Sequence, residues 1–224
     1  MSKRRYCSVC ELPEPVCVCA AIRPVTSGIK PIILQHPDES GHPKNTARLV
    51  QLALNNCEVH CGETAADFVH LQQSLPAPES WLMFPGEQAI LLDVATKRCH
   101  LPASTTAVRH DCPLPEAPHN LIVIDATWRK AQKMMALNPW LEQFPRFQVQ
   151  LAGGSQYWIR KHKAKHSLST LEAVAATLGL YDAQSAQALT ELFEHFKQQK
   201  LKAMPRSIQQ RILQQVKNMH GSND

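Results

Sequence analysis

Residues 121–128 constrain the fold more strongly than any other stretch of this sequence. Four branched apolar residues are followed by Asp125, Ala126, Thr127 and Trp128. An apolar run of this kind predicts a buried strand of a parallel sheet. From Trp128 the apolar residues recur with helical spacing, which predicts a helix that ends near Leu137. Because ligands bind outside the carboxyl ends of strands in open α/β sheets, we predict that Asp125 lies at a functional site.

The same residues also have an interpretation that needs no ligand. In that interpretation, Asp125 or Thr127 caps the helix through its side chain. Trp128 then anchors the helix in the protein core. Both interpretations predict a strand, a sharp turn and a helix, and they differ only in what the three polar or aromatic side chains do.

Positive charge is concentrated in two places. Three cations lie in the first turns of the predicted helix, where the helix dipole disfavours them, so we predict that they serve an anion. The densest basic run follows Tyr157 and Trp158, and cations beside aromatic rings are typical of binding to looped or single-stranded RNA. A solvated charged loop is the alternative for this run. The predicted RNA contacts are Arg129, Lys130, Lys133, Arg160, Lys161, Lys163 and Lys165.

Four cysteines near the start of the chain have the spacing Cys-x2-Cys-x6-Cys-x-Cys. A set of four sulfur ligands selects zinc or an iron–sulfur cluster over harder metals. We predict a structural zinc knuckle, because so short a segment has no core of its own. Reduced free thiols or a redox pair are the alternatives. The predicted ligands are Cys7, Cys10, Cys17 and Cys19.

The composition is that of an ordinary soluble globular chain, with 224 residues, 44% of them hydrophobic and 19% charged. A net charge of +5 weakly favours a polyanionic partner. We find no P-loop, no dinucleotide-binding glycine motif, no signal-peptide core and no membrane-spanning window, so we expect a cytosolic protein without membrane contact. No protein partner is evident. Four further cysteines are interpreted as buried or incidental thiols: Cys57, Cys61, Cys99 and Cys112.

Polar residues also follow a predicted strand at residues 31–35. His36 and Glu39 come directly after it, and a helix is predicted to begin near Asn45 or Thr46. The free N–H groups of that first helical turn are suited to a phosphate or a carboxylate. Simple capping by Asn45 or Thr46, and a structural loop position for His36, are the alternatives.

The middle of the chain is less regular. A strand at residues 81–84 is predicted to end in Pro85 and Gly86, a pair that turns the backbone and lets a ligand approach closely. Residues 89–93 fit either a strand or the start of a helix. Residues 101–120 hold four prolines and are interpreted as a surface loop.

The last third of the chain is predicted to be helical after a strand at residues 147–151. Ser169 and Glu172 fit a capping box, and the helix that they begin is predicted to end at Gly179. Capping explains these residues without a ligand. Two amphipathic helices follow, one with apolar residues between 189 and 196 and one between 208 and 216, and we interpret both as packing elements over the sheet.

Residues 121–128 resemble the signature of the DTW-domain family, with Asp125, Thr127 and Trp128 at its named positions. Four other segments match that family in the same order. They are the cysteine cluster, residues 36–39 with 44–46, residues 168–173 and, more weakly, residues 81–86. The resemblance therefore covers residues 7 to about 175. Members of this family look like tRNA-uridine aminocarboxypropyltransferases related to the knotted SPOUT enzymes, which bind S-adenosylmethionine.

Periodicity alone indicates an α/β fold with a mainly parallel sheet and flanking helices. The resemblance implies that this fold is SPOUT-like and knotted, with a catalytic domain at residues 26–224 after a zinc knuckle at residues 1–25. It further implies that S-adenosylmethionine is the cofactor and that its 3-amino-3-carboxypropyl group moves to N3 of a variable-loop uridine of tRNA (tRNA position 47), with release of methylthioadenosine. The implied cofactor contacts are Phe84, Pro85, Gly86, Asp125, Thr127, Trp128, Ser169, Thr170, Leu171 and Glu172.

Asp125 is the predicted catalytic residue, because a uracil imide nitrogen is a weak nucleophile until a base removes its proton. Further pocket candidates are His36, Glu39, Asn45 and Thr46. Two other functions remain open. One is a SPOUT-like RNA methyltransferase, and the other is a non-catalytic zinc- and RNA-binding module.

Overall fold

The computed structural model describes residues 5–42, 45–101, 111–151, 157 and 168–220. The described strands are β1 (Lys30–Gln35), β2 (Glu58–Cys61), β3 (Ser80–Met83), β4 (Ile90–Asp93), β5 (Arg98–His100), β6 (Asp111–Pro113), β7 (Asn120–Asp125) and β8 (Arg146–Gln150). The described helices are α1 (Ala47–Ala53), α2 (Val69–Ser74), α3 (Trp128–Leu137), α4 (Thr170–Tyr181), α5 (Ala183–Lys202) and α6 (Arg206–His220).

The strands form one sheet in the order β2-β1-β7-β3-β8-β4-β5-β6. Neighbours from β2 to β4 are parallel, and β5 and β6 extend one edge in antiparallel pairing. The prediction of a mainly parallel α/β sheet with flanking helices is therefore confirmed. Strand β7 lies between β1 and β3, and its register places Asp125 beside Gln35. The carboxyl ends of β1 and β7 thus lie next to each other.

Successive residues of a strand point to opposite faces of the sheet, so apolar side chains lie on both faces. Helices cover each face and bury these side chains. Ile33 and Val123 belong to a core that also contains the buried residues of α1, α4 and α5. Ile32 and Ile122 belong to a second core, formed with α2 and α3. Helix α5 packs mainly on α4 and α1, so it lies outside the helices that touch the sheet. No helix among the described residues is both long enough and apolar enough to cross a bilayer.

Two local predictions are wrong. Helix α4 continues through Gly179 to Tyr181, because Gly179 does not adopt the left-handed conformation of a terminating glycine. Asp182 separates α4 from α5 instead, since its side chain accepts the backbone N–H of Ser185 and caps the next helix. The ambiguous segment at residues 89–93 contains β4, and the predicted loop at 101–120 contains β6 and the first residue of β7.

The cysteines outside the first cluster also differ from expectation. Cys99 and Cys112 lie opposite each other in the antiparallel pair β5–β6 and form a disulfide, so their interpretation as thiols is wrong. Their adjacency arises from strand pairing, which their sequence spacing does not reveal. Cys57 is a buried thiol, and burial raises its pKa to about 12. Cys61 is an exposed thiol.

Candidate functional site

Asp125 ends β7, and only 6% of its surface is exposed. Its Oδ2 accepts a hydrogen bond from Gln35 Nε2 at 2.9 Å, and its Oδ1 accepts one from Thr170 Oγ1 at 2.5 Å. Both donors are neutral, so they fix the carboxylate without cancelling its charge. A buried carboxylate held in this way is suited to accept a proton from a bound ligand.

The capping alternative for this segment is not supported. Thr127 occupies the N-cap position of α3, and no side chain caps the helix. Trp128 is 56% exposed, so it does not anchor α3 in the core. Its ring stacks on that of Phe84, with 5.4 Å between the ring centroids and 18° between the planes. The two rings join the ends of β3 and β7 in an aromatic surface that solvent can reach.

The segments that the resemblance assigned to the cofactor come together around this strand end. Pro85 and Gly86 follow Phe84 and are exposed. Ser169 and Glu172 are buried and form the predicted capping box of α4. Ser169 Oγ accepts the backbone N–H of Glu172, and Glu172 Oε2 accepts the backbone N–H of Ser169, so capping explains this pair without a ligand. In the same segment, the hydroxyl of Thr170 donates to Asp125.

Two of the further pocket candidates hold secondary structure together. Thr46 Oγ1 accepts the backbone N–H of Leu171 at 3.3 Å, which ties the start of α1 to the start of α4. Asn45 Oδ1 accepts the N–H of Ala47 at 2.7 Å, and its amide donates to the Glu39 carbonyl at 2.9 Å. The side chain of Asn45, rather than that of Thr46, therefore accepts a free backbone N–H in the first turn of α1.

His36 begins a network of charged groups next to the site. Its Nδ1 accepts the backbone N–H of Asp38 at 3.1 Å, so Nε2 carries the proton that it shares with Glu63 Oε1 at 3.2 Å. Lys133 Nζ lies 2.8 Å from the same Glu63 oxygen. Hydrogen bonds from Lys133 and then His36 hold the pKa of Glu63 below its usual range. Lys133, Glu63 and His36 therefore link α3 to the loops that follow β1 and β2.

Lys130 makes a second connection of the same kind. Its Nζ lies 3.2 Å from both Asp38 Oδ2 and Glu39 Oε1. Burial lowers the pKa of Lys130, but the two carboxylates raise it above the usual lysine value. The unfavourable placement of cations at the start of α3 is thus offset by acids of this chain, without requiring an external anion.

The predicted RNA contacts therefore have different environments. Arg129 is exposed, whereas Lys130 and Lys133 are engaged by carboxylates. Arg160, Lys161, Lys163 and Lys165 lie outside the described residues. Tyr157, which precedes that basic run, is 1% exposed and packs against Phe193 and Phe196, so it offers no ring for a base.

The four Sγ atoms near the start of the chain lie within 4.8 Å of one another. We call residues 6–19, which hold these four cysteines, the cysteine knuckle. The separations of 3.5 Å (Cys7–Cys19) and 3.7 Å (Cys10–Cys17) match the roughly 3.8 Å between sulfurs bound tetrahedrally at about 2.3 Å from zinc. Backbone hydrogen bonds at Cys10 and Val9 lower the pKa of Cys7 to about 6, whereas burial and the neighbouring thiols raise the pKa of Cys19 to about 12. Four thiolates this close repel one another, so a bound cation fits the set.

The sequence profile of the DTW domain matches residues 4–201, which is most of the chain. The chain belongs to the DTW domain family. It is 28% identical over 190 residues to tRNA-uridine aminocarboxypropyltransferase 2 of Drosophila melanogaster, a match that covers 82% of this chain and 69% of the fly protein. It is 27% identical over 216 residues to tRNA-uridine aminocarboxypropyltransferase A of Arabidopsis thaliana, covering 88% and 80%. Macaca fascicularis tRNA-uridine aminocarboxypropyltransferase 2 is 26% identical, and the chain spans 57% of its length. No solved structure matches the chain.

Sequence reasoning missed two residues of this DTW domain's site. Gln35 is 7% exposed and holds Asp125, but it closes an apolar strand and has no motif of its own. Glu63 follows β2 and binds both His36 and Lys133. The available signal was that each residue lies at or just past the end of a strand. That signal becomes informative only when the neighbouring strands are known.

Proposed function

We propose that this DTW domain is a tRNA-uridine aminocarboxypropyltransferase that uses S-adenosylmethionine and modifies N3 of a uridine in the variable loop. The family membership and the names of its relatives support this class of transferase. The structural observation that carries the proposal is the buried Asp125 carboxylate, which two neutral donors fix at the end of β7. It lies on the strand that leads into the exposed Trp128 ring.

In this reaction Asp125 accepts the proton of uracil N3–H, because the imide nitrogen attacks only after deprotonation. Gln35 and Thr170 hold the two carboxylate oxygens, which keeps the base oriented toward the acceptor. When bound, S-adenosylmethionine would supply the electrophilic methylene carbon of its methionine chain and leave as methylthioadenosine. Most of the acceleration then comes from the alignment of acceptor and donor that the pocket imposes.

The residues present fit such a donor. The stacked rings of Phe84 and Trp128 offer an aromatic face for an adenine ring or for a sulfonium cation. The first turn of α3 has no side-chain cap, so its N–H groups suit the donor carboxylate. Ser169 and Glu172 would act on the pocket by fixing α4, which carries Thr170.

A SPOUT-like, knotted topology is part of the proposal. It is supported by the way in which late strands fill gaps between earlier ones. Strand β7 inserts between β1 and β3, and β8 inserts between β3 and β4. The loops that leave these parallel strands all begin at the carboxyl edge of the sheet, where Asp125 and Thr170 meet.

The tRNA would be held by exposed cations. Arg129 is the described candidate, and Arg160, Lys161, Lys163 and Lys165 remain predictions. Lys130 and Lys133 contribute less, because their charge is balanced by Asp38, Glu39 and Glu63. Zinc in the cysteine knuckle would be structural, since four thiolates leave no open coordination position. The domain division at residue 25 and the cytosolic location stay predictions.

The experiment that tests the proposal supplies tRNA with S-adenosylmethionine labelled either at its carboxyl carbon or at its methyl group. We expect carboxyl label in the tRNA, methyl label in released methylthioadenosine, and a nucleoside mass gain equal to an aminocarboxypropyl group. Methyl label in the tRNA would identify a methyltransferase instead. Absence of both labels, with intact tRNA binding, would favour a binding module.

A further inference from the structure

The net positive charge of this chain lies entirely in residues 195–224. Residues 1–194 contain eighteen lysines and arginines and eighteen aspartates and glutamates, so they are neutral. Residues 195–224 contain six lysines and arginines and a single acid, Asp224. We call residues 195–220, which hold the end of α5 and all of α6, the basic arm. The DTW profile match ends at residue 201, so α6 lies beyond it, and the charge therefore marks a surface that the domain itself does not include.

Three cations of the basic arm are exposed and have no acidic partner within the described part of the chain. Lys202 ends α5, Arg206 begins α6, and Arg211 lies in the second turn of α6. Lys197 is different, because it is 6% exposed and its Nζ lies 2.5 Å from Glu194. Lys197 therefore belongs to the packed part of α5, and the unbalanced charge begins after it.

Arg206 occupies an unfavourable position on its helix. It is the first residue of α6, where the helix dipole disfavours a cation, and the first turn contains no acid. At the start of α3, by contrast, Asp38 and Glu39 offset the charge of Lys130. No acid among the described residues does the same for Arg206. An anion from outside this chain would supply the missing opposite charge.

Helix α5 returns the basic arm to the end of the sheet that carries Asp125. Helix α4 begins at that end, where Thr170 donates to Asp125. It finishes at the other end, where Asp182 accepts hydrogen bonds from Ser27 and Gly28 just before β1. Only residue 182 separates α4 from α5, and α5 packs along α4, so α5 runs back toward the Asp125 end.

The lengths of the two helices place the basic arm beyond the start of α4. Helix α5 has 20 residues and α4 has 12, so α5 is longer by about 12 Å at a rise of 1.5 Å per residue. The last turns of α5 therefore extend past the start of α4, and α6 follows them after a short turn at residues 203–205. The basic arm thus lies at the same end of the molecule as Asp125, but outside the sheet.

The composition of the basic arm fits the backbone of a nucleic acid. Lysine and arginine neutralise phosphates, and glutamine amides contact phosphate and sugar oxygens. Gln210 is exposed directly before Arg211. An anionic bilayer is the other polyanion that a basic helix can meet, but binding to it requires an exposed apolar face. Ile212 is 9% exposed, and of the large apolar side chains described on α6 only Leu213 is exposed, so a nucleic acid is the better match.

We propose that the basic arm is a second tRNA-binding surface, on which Lys202, Arg206 and Arg211 contact phosphates away from the reacting uridine. This inference rests on the proposed function and adds to it the means by which the tRNA is held outside the pocket. Phosphate contacts carry no sequence information, but they set the orientation of a nucleic acid on a protein. The basic arm therefore orients the tRNA and leaves the chemistry to the DTW domain.

Binding titrations with tRNA at several salt concentrations test the inference on the variant Lys202→Gln/Arg206→Gln/Arg211→Gln. Glutamine keeps a long polar side chain on each helix but removes the charge. The slope of log affinity against log salt should fall by about two to three units, since each lost phosphate contact removes about 0.7 to 0.9. The KM for tRNA should rise by roughly tenfold or more, with little change in kcat. Calorimetric binding of S-adenosylmethionine should stay within about twofold of the parent.

A matched pair of single variants separates a defined surface from net charge alone. Arg206→Gln should lower the salt slope by roughly one unit. Arg23→Gln also removes one exposed cation, but Arg23 lies in the segment before β1, at the amino edge of the sheet, where it donates to the carbonyls of Ala20 and Ile22. It should behave like the parent. Equal slopes for the two variants would overturn the inference, as would an unchanged slope in the triple variant.

Two further outcomes have distinct meanings. Sedimentation with vesicles that contain phosphatidylserine tests the bilayer alternative. Vesicle binding that the triple variant loses, with tRNA parameters unchanged, would assign the basic arm to a membrane surface and overturn the inference. If the parent bound tRNA through the basic arm but transferred no aminocarboxypropyl group, the proposed function would fail and the RNA-binding surface would stand.

Discussion

At the end of β7, the Asp125 carboxylate is held by two neutral side chains, whereas the acids that follow β1 and β2 are each held by a lysine of α3. Neutral donors orient a carboxylate and leave its negative charge available for a proton. Ion pairs also fix the position of a carboxylate, but the opposite charge stabilises the ionised form and so opposes its protonation. The comparison shows that adjacent strand ends are built differently: lysines attach the loops after β1 and β2 to α3, whereas the β7 end carries the carboxylate that we propose as the base.

The largest expected effect separates these two tasks. Asp125→Asn keeps the size of the side chain but removes the base, so transfer should fall by about 10² or more while S-adenosylmethionine and tRNA bind nearly normally. Single-turnover experiments measure the transfer rate, and calorimetry measures the binding of S-adenosylmethionine and of tRNA. Glu63→Gln, at the β2 end, is the matched control and should retain most of the transfer rate. Full transfer by Asp125→Asn would remove Asp125 from the mechanism.

The next effect concerns the cysteine knuckle, which borders the β1 side of the site. Cys10→Ser should lower the zinc content from about one ion per chain and reduce the thermal stability of the protein, because metal binding by this short segment is coupled to its folding. Elemental analysis measures the zinc content, and a melting curve measures the thermal stability. Cys61→Ser, an exposed cysteine outside the cysteine knuckle, should leave the zinc content unchanged. Full zinc occupancy in Cys10→Ser would contradict the assignment.

A smaller effect tests the neutral donors around Asp125. Thr170→Val removes the hydroxyl that donates to Oδ1 and keeps the shape of the side chain. We expect kcat to fall by about tenfold, in line with the loss of one hydrogen bond to a charged group. Thr177→Val on the same helix, where the hydroxyl donates to the Ala173 carbonyl, serves as control. A purely structural effect would change the melting temperature of Thr170→Val without changing kcat in the folded protein.

Cations of α3 should differ in their effect on tRNA binding. Arg129 is exposed, and within the described residues no acid pairs with it, so Arg129→Ala should weaken tRNA binding and reduce its salt dependence by roughly one unit. Lys133→Ala should change the salt dependence less, since Glu63 already balances that charge. Binding titrations at several salt concentrations measure the slopes. Equal slopes for both variants would contradict the contrast between paired and exposed cations.

The smallest effect is a pH dependence of stability. Since Lys133 and His36 hold the pKa of Glu63 below its usual value, Glu63 contributes stability above the pKa that it has in the unfolded chain. That contribution is lost as the pH falls through the lowered folded-state pKa. Between about pH 5 and pH 3, the melting temperature of the parent should therefore fall more steeply than that of Glu63→Gln. Parallel melting curves over that range would show that the ion pair adds no stability.

Several features could be predicted because contiguous residues encode them. The apolar run before Asp125 and the helical spacing after it predict β7 and α3. Ser169 and Glu172 lie three residues apart, so their capping box is also local. The four cysteines lie within thirteen residues, so the local fold of that one segment is enough to bring their sulfurs together. In each of these cases the backbone geometry of one short segment determines the structure.

The environment of Asp125 was decided only by the tertiary structure. Gln35 and Thr170 lie 90 and 45 residues from it in the chain, and they reach it because β7 inserts beside β1 and because α4 packs over that strand end. The same strand order pairs Cys99 with Cys112 through the β5–β6 edge. Periodicity reports which face of a strand is buried, but it does not report which strand lies alongside. The sequence therefore determined which residue is the candidate base, and the order of strands in the sheet decided which side chains hold it.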